Sequence, residues 1–325
     1  MRFSFSLTTC LCLAATMLSC SVGNEAGNSI TDLRCEYQRS PLTVDVQTPR
    51  FTWIYDGVDG FVQHSYSLAV ASSEEKLSSP DIWCSGTVTS SVPFARMEDT
   101  GLMVSDHEYF WQVTAWNADS TKVLISEPAK FRTALMGRTD WKAVWVTDSH
   151  DKDFEAAPMF RKEFDAGQDV VSARVYMSAC AYAEVRLNGE PVSDAFLDPG
   201  YTHYDKRNLY TVTDVTGKVR SGENVITAVL GNGFYNEIKP VATWNFENAR
   251  WRGRARFILE LHVTHADGTT SVIASDKTWK TTADGPYISN NIYSGDTYDA
   301  RKEIAGWYET GFDDSSWSTA REVPD

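Results

Sequence analysis

Between Leu33 and Leu135 apolar and polar residues alternate in short runs, at 50–55, 66–71, 82–86, 109–116 and 129–133, with turn-forming residues between them. Successive side chains of a strand point to opposite faces, so a period of two predicts strands that bury one face and wet the other. Such runs spread over about 100 residues predict an antiparallel sandwich of the immunoglobulin or fibronectin III type. A second series begins at 140–146 and continues through 157–163, 170–177, 183–187, 209–213, 224–230, 255–263, 270–274 and 279–282. Asn188-Gly189 and Asp267-Gly268 fall between its runs and mark hairpin turns. This series predicts a jelly-roll-like sandwich. After residue 140 no segment keeps a helical period for even three turns. The expected fold is all-β: two antiparallel β-sandwiches, one over 33–136 and one over 137–309.

The first residues follow a different pattern. Arg2 precedes an apolar stretch, Phe3 to Leu18, interrupted only by Ser and Thr. Its length suits the core of a secretory signal and is short for a membrane span. The stretch ends in Met17-Leu18-Ser19-Cys20, which resembles the cleavage box of bacterial lipoproteins, where a Cys becomes the acylated N-terminus. That resemblance implies a signal peptide over 1–19, a lipid on Cys20 that anchors the chain to a membrane, and a small, polar tether over 20–32. It places the protein in the cell envelope, in the periplasm or on the outer surface. An ordinary signal peptide with an incidental Cys is the alternative. Cys35, Cys84 and Cys180 remain, without zinc-type spacing; a Cys35–Cys84 bridge is open, and buried free thiols are the main reading.

Composition narrows the partners. With 30 Lys+Arg against 44 Asp+Glu the formal charge is −14, and a nucleic-acid partner is excluded because phosphate neutralisation needs a basic face. Hydrophobic residues at 42% are enough for packed interiors, which excludes wholesale disorder. The 11 Trp and 14 Tyr are many for 325 residues, and such rings stack on sugars as readily as they fill cores. Trp53, Trp111, Trp116, Trp145 and Trp279 lie in alternating runs, where core packing is the default. Trp111 and Trp116 are an odd number of positions apart, so only one of them can face the core of a regular strand.

An ordered series of motifs runs through both sandwiches. The first contains Pro49-Arg-Phe-Thr-Trp53, Trp83-Cys-Ser-Gly86 and Tyr109-Phe-Trp-Gln-Val113. The second contains Leu187-Asn-Gly-Glu-Pro-Val192, Leu197-Asp-Pro-Gly-Tyr-Thr-His-Tyr-Asp205, Leu230-Gly-Asn-Gly-Phe-Tyr235, Asp276-Lys-Thr-Trp279 and Tyr293-Ser-Gly-Asp-Thr-Tyr-Asp-Ala-Arg301. In order and spacing these resemble the N-terminal part of bacterial α-L-rhamnosidases, those whose catalytic unit is an (α/α)6 toroid. The resemblance runs from residue 33 to the end and implies a fibronectin-like domain followed by a β-sandwich related to rhamnose-binding modules, some of which hold the sugar through Ca²⁺. It implies that the hydrolytic carboxylates lie on a toroid outside these 325 residues, with 310–325 the start of a following domain. The function it implies is the ancillary portion of an α-L-rhamnosidase, binding or positioning a rhamnose-containing polysaccharide. A stand-alone glycan-binding lipoprotein and a structural spacer are the alternatives.

A sugar site needs an aromatic face for the apolar side of the ring and a few oxygen or amide groups for its hydroxyls. Residues 187–205 and 231–251 supply both, and Asn188, Asp198, Tyr201, Asn232, Tyr235, Trp244 and Trp251 are the candidate carbohydrate-binding set. For Ca²⁺, which takes roughly six to eight oxygens, the candidates are Asp194, Asp198 and Asn232. Turn and strand-end roles compete for Asn188-Gly189, Asp198-Pro199-Gly200 and Gly231-Asn232-Gly233. Phe234 stands where the resembled family often carries Trp, which keeps the apolar face and loses an N–H donor. Spacing singles out no acid pair for hydrolysis. Asp313-Asp314 reads as a solvated turn and Asp296–Arg301 as an ion-paired strand end.

Overall fold

A computed structural model describes residues 29–57, 60–237 and 248–324 of the chain. The expected signal peptide, Cys20, the first part of the tether and Trp244 lie outside the described residues. Two compact units divide at Asp140/Trp141.

The first unit contains β1 (Ser29–Cys35), β2 (Arg50–Asp56), β3 (Ser65–Ala71), β4 (Trp83–Cys84), β5 (Val88–Thr89), β6 (Phe94–Arg96), β7 (Glu108–Trp116), β8 (Val123–Ile125) and β9 (Ala129–Arg132). One sheet runs β1-β2-β6 and the other β4-β3-β7-β8, with β5 paired to β3 and β9 to β7. β7 alternates strictly: Tyr109, Trp111, Val113 and Ala115 are buried while Trp116 is on the half-buried face, as the odd spacing of the two Trp requires. Phe51 sits between Trp111 and Phe131, its ring centroid 4.8 and 5.9 Å from theirs. Burying a ring of this kind stabilises the fold by roughly 2–3 kcal/mol. The sheet starts earlier than expected. Ile30 pairs with Tyr55 and is buried, so residues 29–32 belong to β1 and not to a tether; a single apolar residue among polar ones concealed the strand.

The second unit contains β10 (Val146–Thr147), β11 (Met159–Asp165), β12 (Val170–Cys180), β13 (Tyr182–Leu187), β14 (Glu190–Pro191), β15 (Tyr210–Asp214), β16 (Glu223–Gly231), β17 (Arg256–His265), β18 (Thr270–Ala274), β19 (Lys280–Thr282), β20 (Tyr287–Asn291), β21 (Gly295–Tyr298), β22 (Ser318–Thr319) and β23 (Arg321–Glu322). One sheet runs β15-β12-β17-β10-β23 with β18 on β17, the other β14-β13-β16-β11-β19-β22, and β20-β21 form a separate hairpin. Between the two large sheets Val175, Met177, Leu259 and Leu261 meet Phe160, Ile226, Leu230 and Trp279. Both sandwiches are therefore all-β, with turns at Asn188-Gly189 and Asp267-Gly268.

Two boundaries differ from the sequence expectation. Residues 137–140 are held to the first unit, where Asp140 Oδ2 accepts from Ser105 Oγ at 2.5 Å and from the Gly137 N–H at 2.8 Å. Residues 310–324 do not open a new domain. β22 pairs with β19, β23 pairs with β10, and Trp317 and Ala320 are buried, so this stretch closes both sheets of the second sandwich. Asp314 is correspondingly no solvated turn residue but the ion-pair partner of buried Arg161. Asp299 does form the expected strand-end ion pair with Arg301, at 2.7 Å. Cys35, Cys84 and Cys180 are free thiols, the first and last buried.

Candidate functional site

In β13, β16 and β11 the residues Val185, Leu187, Ile226, Ala228, Leu230 and Phe160 fill the core. Their neighbours must then face outward. On that outer face Tyr182, Glu184 and Arg186 of β13 pair with Gly231, Val229 and Thr227 of β16, and Met159 and Arg161 of β11 continue the same rows. The β20-β21 hairpin and residues 303–309 border this surface, leaving two adjoining recesses. One, of about 250 Å³, is lined by Tyr182, Glu184, Phe196, Tyr287, Asn290 and Asp296 among others. The other, of about 750 Å³, shares Glu184, Val229 and Tyr287 and adds Arg186, Tyr298, Trp307 and Tyr308.

The Gly231-Asn232-Gly233 sequence shapes the first recess. A Cβ on Gly231 would stand 1.8 Å from the Tyr182 ring, so glycine is what lets that ring lie across the strand end. Gly233 follows at φ +47°, a left-handed conformation that glycine adopts without strain. Asn232 between them is buried. Its N–H donates to Asn290 Oδ1 at 2.6 Å and its Nδ2 to the Asn290 carbonyl at 3.2 Å, tying the end of β16 to β20. Asn236 in turn donates to Asn232 Oδ1 at 3.1 Å and to the Lys152 carbonyl at 2.8 Å. Asn290 is only 5% exposed, and its Nδ2 has no hydrogen-bond partner among the described residues. A buried donor left in this state costs about 1–3 kcal/mol, which a ligand oxygen would recover. Across the hairpin Asn290 pairs with Asp296, and both residues line the recess.

The phenols here stay protonated at neutral pH. Burial raises the Tyr182 hydroxyl above the usual phenol range, and the carboxylates of Asp296 and Glu237 raise it further. Tyr287 is raised by burial, with Glu184 and Asp296 adding to the effect. Tyr298 is pushed up to about 12 because its hydroxyl donates to Glu303 Oε1 at 2.8 Å, a bond that ionisation would destroy. Glu184 accepts from Arg186 Nη2 at 2.7 Å. The site thus offers hydroxyl and amide donors, carboxylate acceptors and ring faces, the mixture that polyhydroxylated ligands satisfy.

The sequence-predicted residues fall in different settings. Asn188 holds its turn: Nδ2 donates to the Lys218 carbonyl at 2.9 Å and to Asn224 Oδ1 at 2.8 Å, while Oδ1 accepts from the Val225 N–H at 3.1 Å. Tyr235 is buried against Tyr204, ring centroids 5.3 Å apart, in a cluster with Trp145 and Cys180. Trp251 packs on His203 at 4.5 Å and is half-buried. Tyr201 is half-exposed, edge-on to Phe234 at 4.9 Å, and Phe234 meets Tyr293 at 5.8 Å, so these three rings form a continuous aromatic surface. Asp194 is exposed, whereas Asp198 lines a small recess of about 30 Å³ and its carboxyl is raised by burial. Asn232 belongs to the Asn290 network. Among the described residues no three His, Cys, Asp or Glu side chains converge on a point that suits a metal ion.

Tyr182, Glu184, Tyr287 and Asn290 are the residues sequence reasoning passed over. The alternation of Tyr182, Glu184 and Arg186 against Ala183, Val185 and Leu187 was a usable signal for an aromatic and charged outer face.

Residues 168–325 match the family described as the α-L-rhamnosidase N-terminal domain, and residues 30–137 match the Rha78A-like N-terminal immunoglobulin domain. An α-L-rhamnosidase of Formosa agariphila is 34% identical over 358 residues, covering 99% of this chain and 37% of that protein. One from Alteromonas sp. is 30% identical over 294 residues, covering 86% of this chain and 31% of its own length. Among solved structures, the α-L-rhamnosidase of Dictyoglumus thermophilum superposes with a TM-score of 0.80 at 35% identity, over 91% of this chain and 34% of that one. The Streptomyces avermitilis α-L-rhamnosidase complexed with L-rhamnose shares the fold, with a TM-score of 0.80 at 23% identity over 92% of this chain and 45% of that one. The chain spans about a third of the length of the curated relatives it matches.

Proposed function

Because this chain corresponds to the N-terminal domains of α-L-rhamnosidases, we propose that it binds a rhamnose-containing glycan and positions it for hydrolysis of terminal α-L-rhamnosyl residues. Most of the length of the matched relatives lies outside the portion this chain covers, and the hydrolytic step is assigned to that part. A lipid on Cys20 holds the module at the cell envelope.

The observation that carries the binding role is the recess lined by Tyr182, Tyr287, Asp296 and Asn290, whose buried Nδ2 has no hydrogen-bond partner among the described residues. A pyranose hydroxyl that accepts from Nδ2 and donates to Asp296 relieves the buried donor, while the ring's apolar side lies on an aromatic face.

Calorimetric titration with L-rhamnose, run once with Ca²⁺ and once with a chelator, tests this. Saturable heat is expected in at least one condition. Asn290→Asp keeps the acceptor used by Asn232 and removes the free donor; Asp296→Asn alters only the exposed rim. Each should weaken binding by roughly 3- to 10-fold, the worth of one hydrogen bond, with the folded state verified by circular dichroism. Absence of heat in both conditions, from L-rhamnose and from a rhamnose oligosaccharide alike, overturns the binding role. Fatty-acid labelling of the wild-type chain and its loss in Cys20→Ala test the anchor.

A further inference from the structure

We propose that the ligand of this site is a neutral chain of more than one sugar, laid along the outer face of β13 from Asn290 toward Tyr308; this rests on the glycan-binding reading above. The two recesses are not separate features, since Glu184, Val229 and Tyr287 line both. The smaller, about 250 Å³, suits a single ring, and the larger, about 750 Å³, continues beyond it. Same-face residues of a strand recur about every 6.5 Å, so Tyr182, Glu184 and Arg186 line roughly 13 Å of groove, a span that one pyranose does not fill.

The far part is built in the same manner as the near part. Tyr298 lies opposite Tyr287 on the hairpin, ring centroids 5.0 Å apart, and like Tyr308 it is substantially exposed, so ring faces are offered along the whole groove. A sugar at each end would find an aromatic face and a carboxylate: Asp296 at one, Glu303 and Glu309 at the other.

Charge decides between neutral and acidic chains. Glu184, Asp296, Glu303 and Glu309 line the two recesses, and Arg186 is the one cation lining them among the described residues. Arg186 is already bound to Glu184 at 2.7 Å. A uronate in the groove would be repelled by the lining carboxylates that Arg186 does not pair, a repulsion that salt screens over a Debye length of roughly 8 Å. Neutral hydroxyls, by contrast, donate to those carboxylates.

Titration of the full chain in chelator compares three probes: L-rhamnose, a linear α-linked rhamnose trisaccharide, and the same trisaccharide with one galacturonate in place of a rhamnose. The neutral trisaccharide should bind at least about tenfold more tightly than rhamnose. Tyr298→Ala should remove that gain, while Tyr298→Phe, which keeps the ring, retains most of it. The uronate-bearing probe should bind more weakly than the neutral one at low salt, and the difference should shrink at high salt. Rhamnose binding with no gain from length, or equal affinity for the acidic probe at low salt, overturns this proposal and leaves the glycan-binding reading standing. Silence from all three probes, in chelator and again with Ca²⁺, overturns both.

Discussion

Replacing Arg161 with methionine asks whether the C-terminal segment is a wall of the second sandwich or a loose end. The Arg161 side chain is 1% exposed on the outer face of β11. Its guanidinium donates to Asp314, to Glu163 Oε1 at 2.5 Å, and to the carbonyls of Trp307 and Glu309 at 3.1 Å each, and it lies 5.2 Å from the Phe312 ring centroid. Removing one member of a buried ion pair costs about 3–5 kcal/mol, because the remaining charge is stranded. Here the remaining carboxylates are partly wet, 25% exposed for Asp314 and 41% for Glu163, and they can rehydrate, which favours the low end of that range. Methionine refills most of the volume, so little cavity cost is added. We therefore expect a loss of about 3 kcal/mol, which for a domain of this size lowers the unfolding midpoint by roughly 6–12 °C. Thermal unfolding followed by near-UV circular dichroism reads the midpoint. Hydrogen exchange reads where the loss occurs: amides of 307–317 should lose protection while those of β12 and β17 keep theirs. A midpoint drop under about 1 °C with unchanged exchange at 307–317 would refute the reasoning.

Three further outcomes follow from the same structure. Gly231→Ala drives the Tyr182 ring out of its place at the strand end, so it should cost about 1–3 kcal/mol and abolish rhamnose binding; a thermal shift and a titration check it, and a variant unaffected in both would contradict the packing described. Burial raises the Asp148 carboxyl, but the two bonds from Arg254, at 2.8 and 2.7 Å, and the contact with His150 at 2.9 Å outweigh it and hold the group below its ordinary value of 3.8. A carboxyl lowered in the fold contributes stability above its unfolded pKa and loses it as pH falls through the folded one, so urea unfolding should show that loss below about pH 4, and Asp148→Asn should flatten it. Burial pushes up the thiols of Cys35 and Cys180, Cys180 to about 11, so brief alkylation of the native protein, read by mass spectrometry, should modify half-exposed Cys84 ahead of either.

Much of the architecture was legible because side-chain alternation is a local property of a strand. It set Trp111 and Trp116 on opposite faces of β7, and it marked both hairpin turns. The candidate site was less legible. Tyr235 and Asn188 read as ligand groups because their residue types suit sugars, yet the fold commits one to an aromatic cluster and the other to a turn. The β20-β21 hairpin escaped notice for the opposite reason, with only a strand end read at Asp296–Arg301: Ser289-Asn290-Asn291 and Gly295-Asp296-Thr297 carry no apolar period to announce a strand.

The sequence by itself determined the all-β class, the two sandwiches and the core packing of Trp53, Trp145 and Trp279, since each depends on which face of its own strand a residue occupies. Only the tertiary structure decided that Asn290 reaches Asn232, that Tyr182 lies across Gly231, and that Arg161 meets Asp314. Those pairings join segments far apart along the chain, and they arise from how strands are ordered within a sheet and what folds back over its outer face. Alternation says that a residue points outward; the order of the strands says what it meets there.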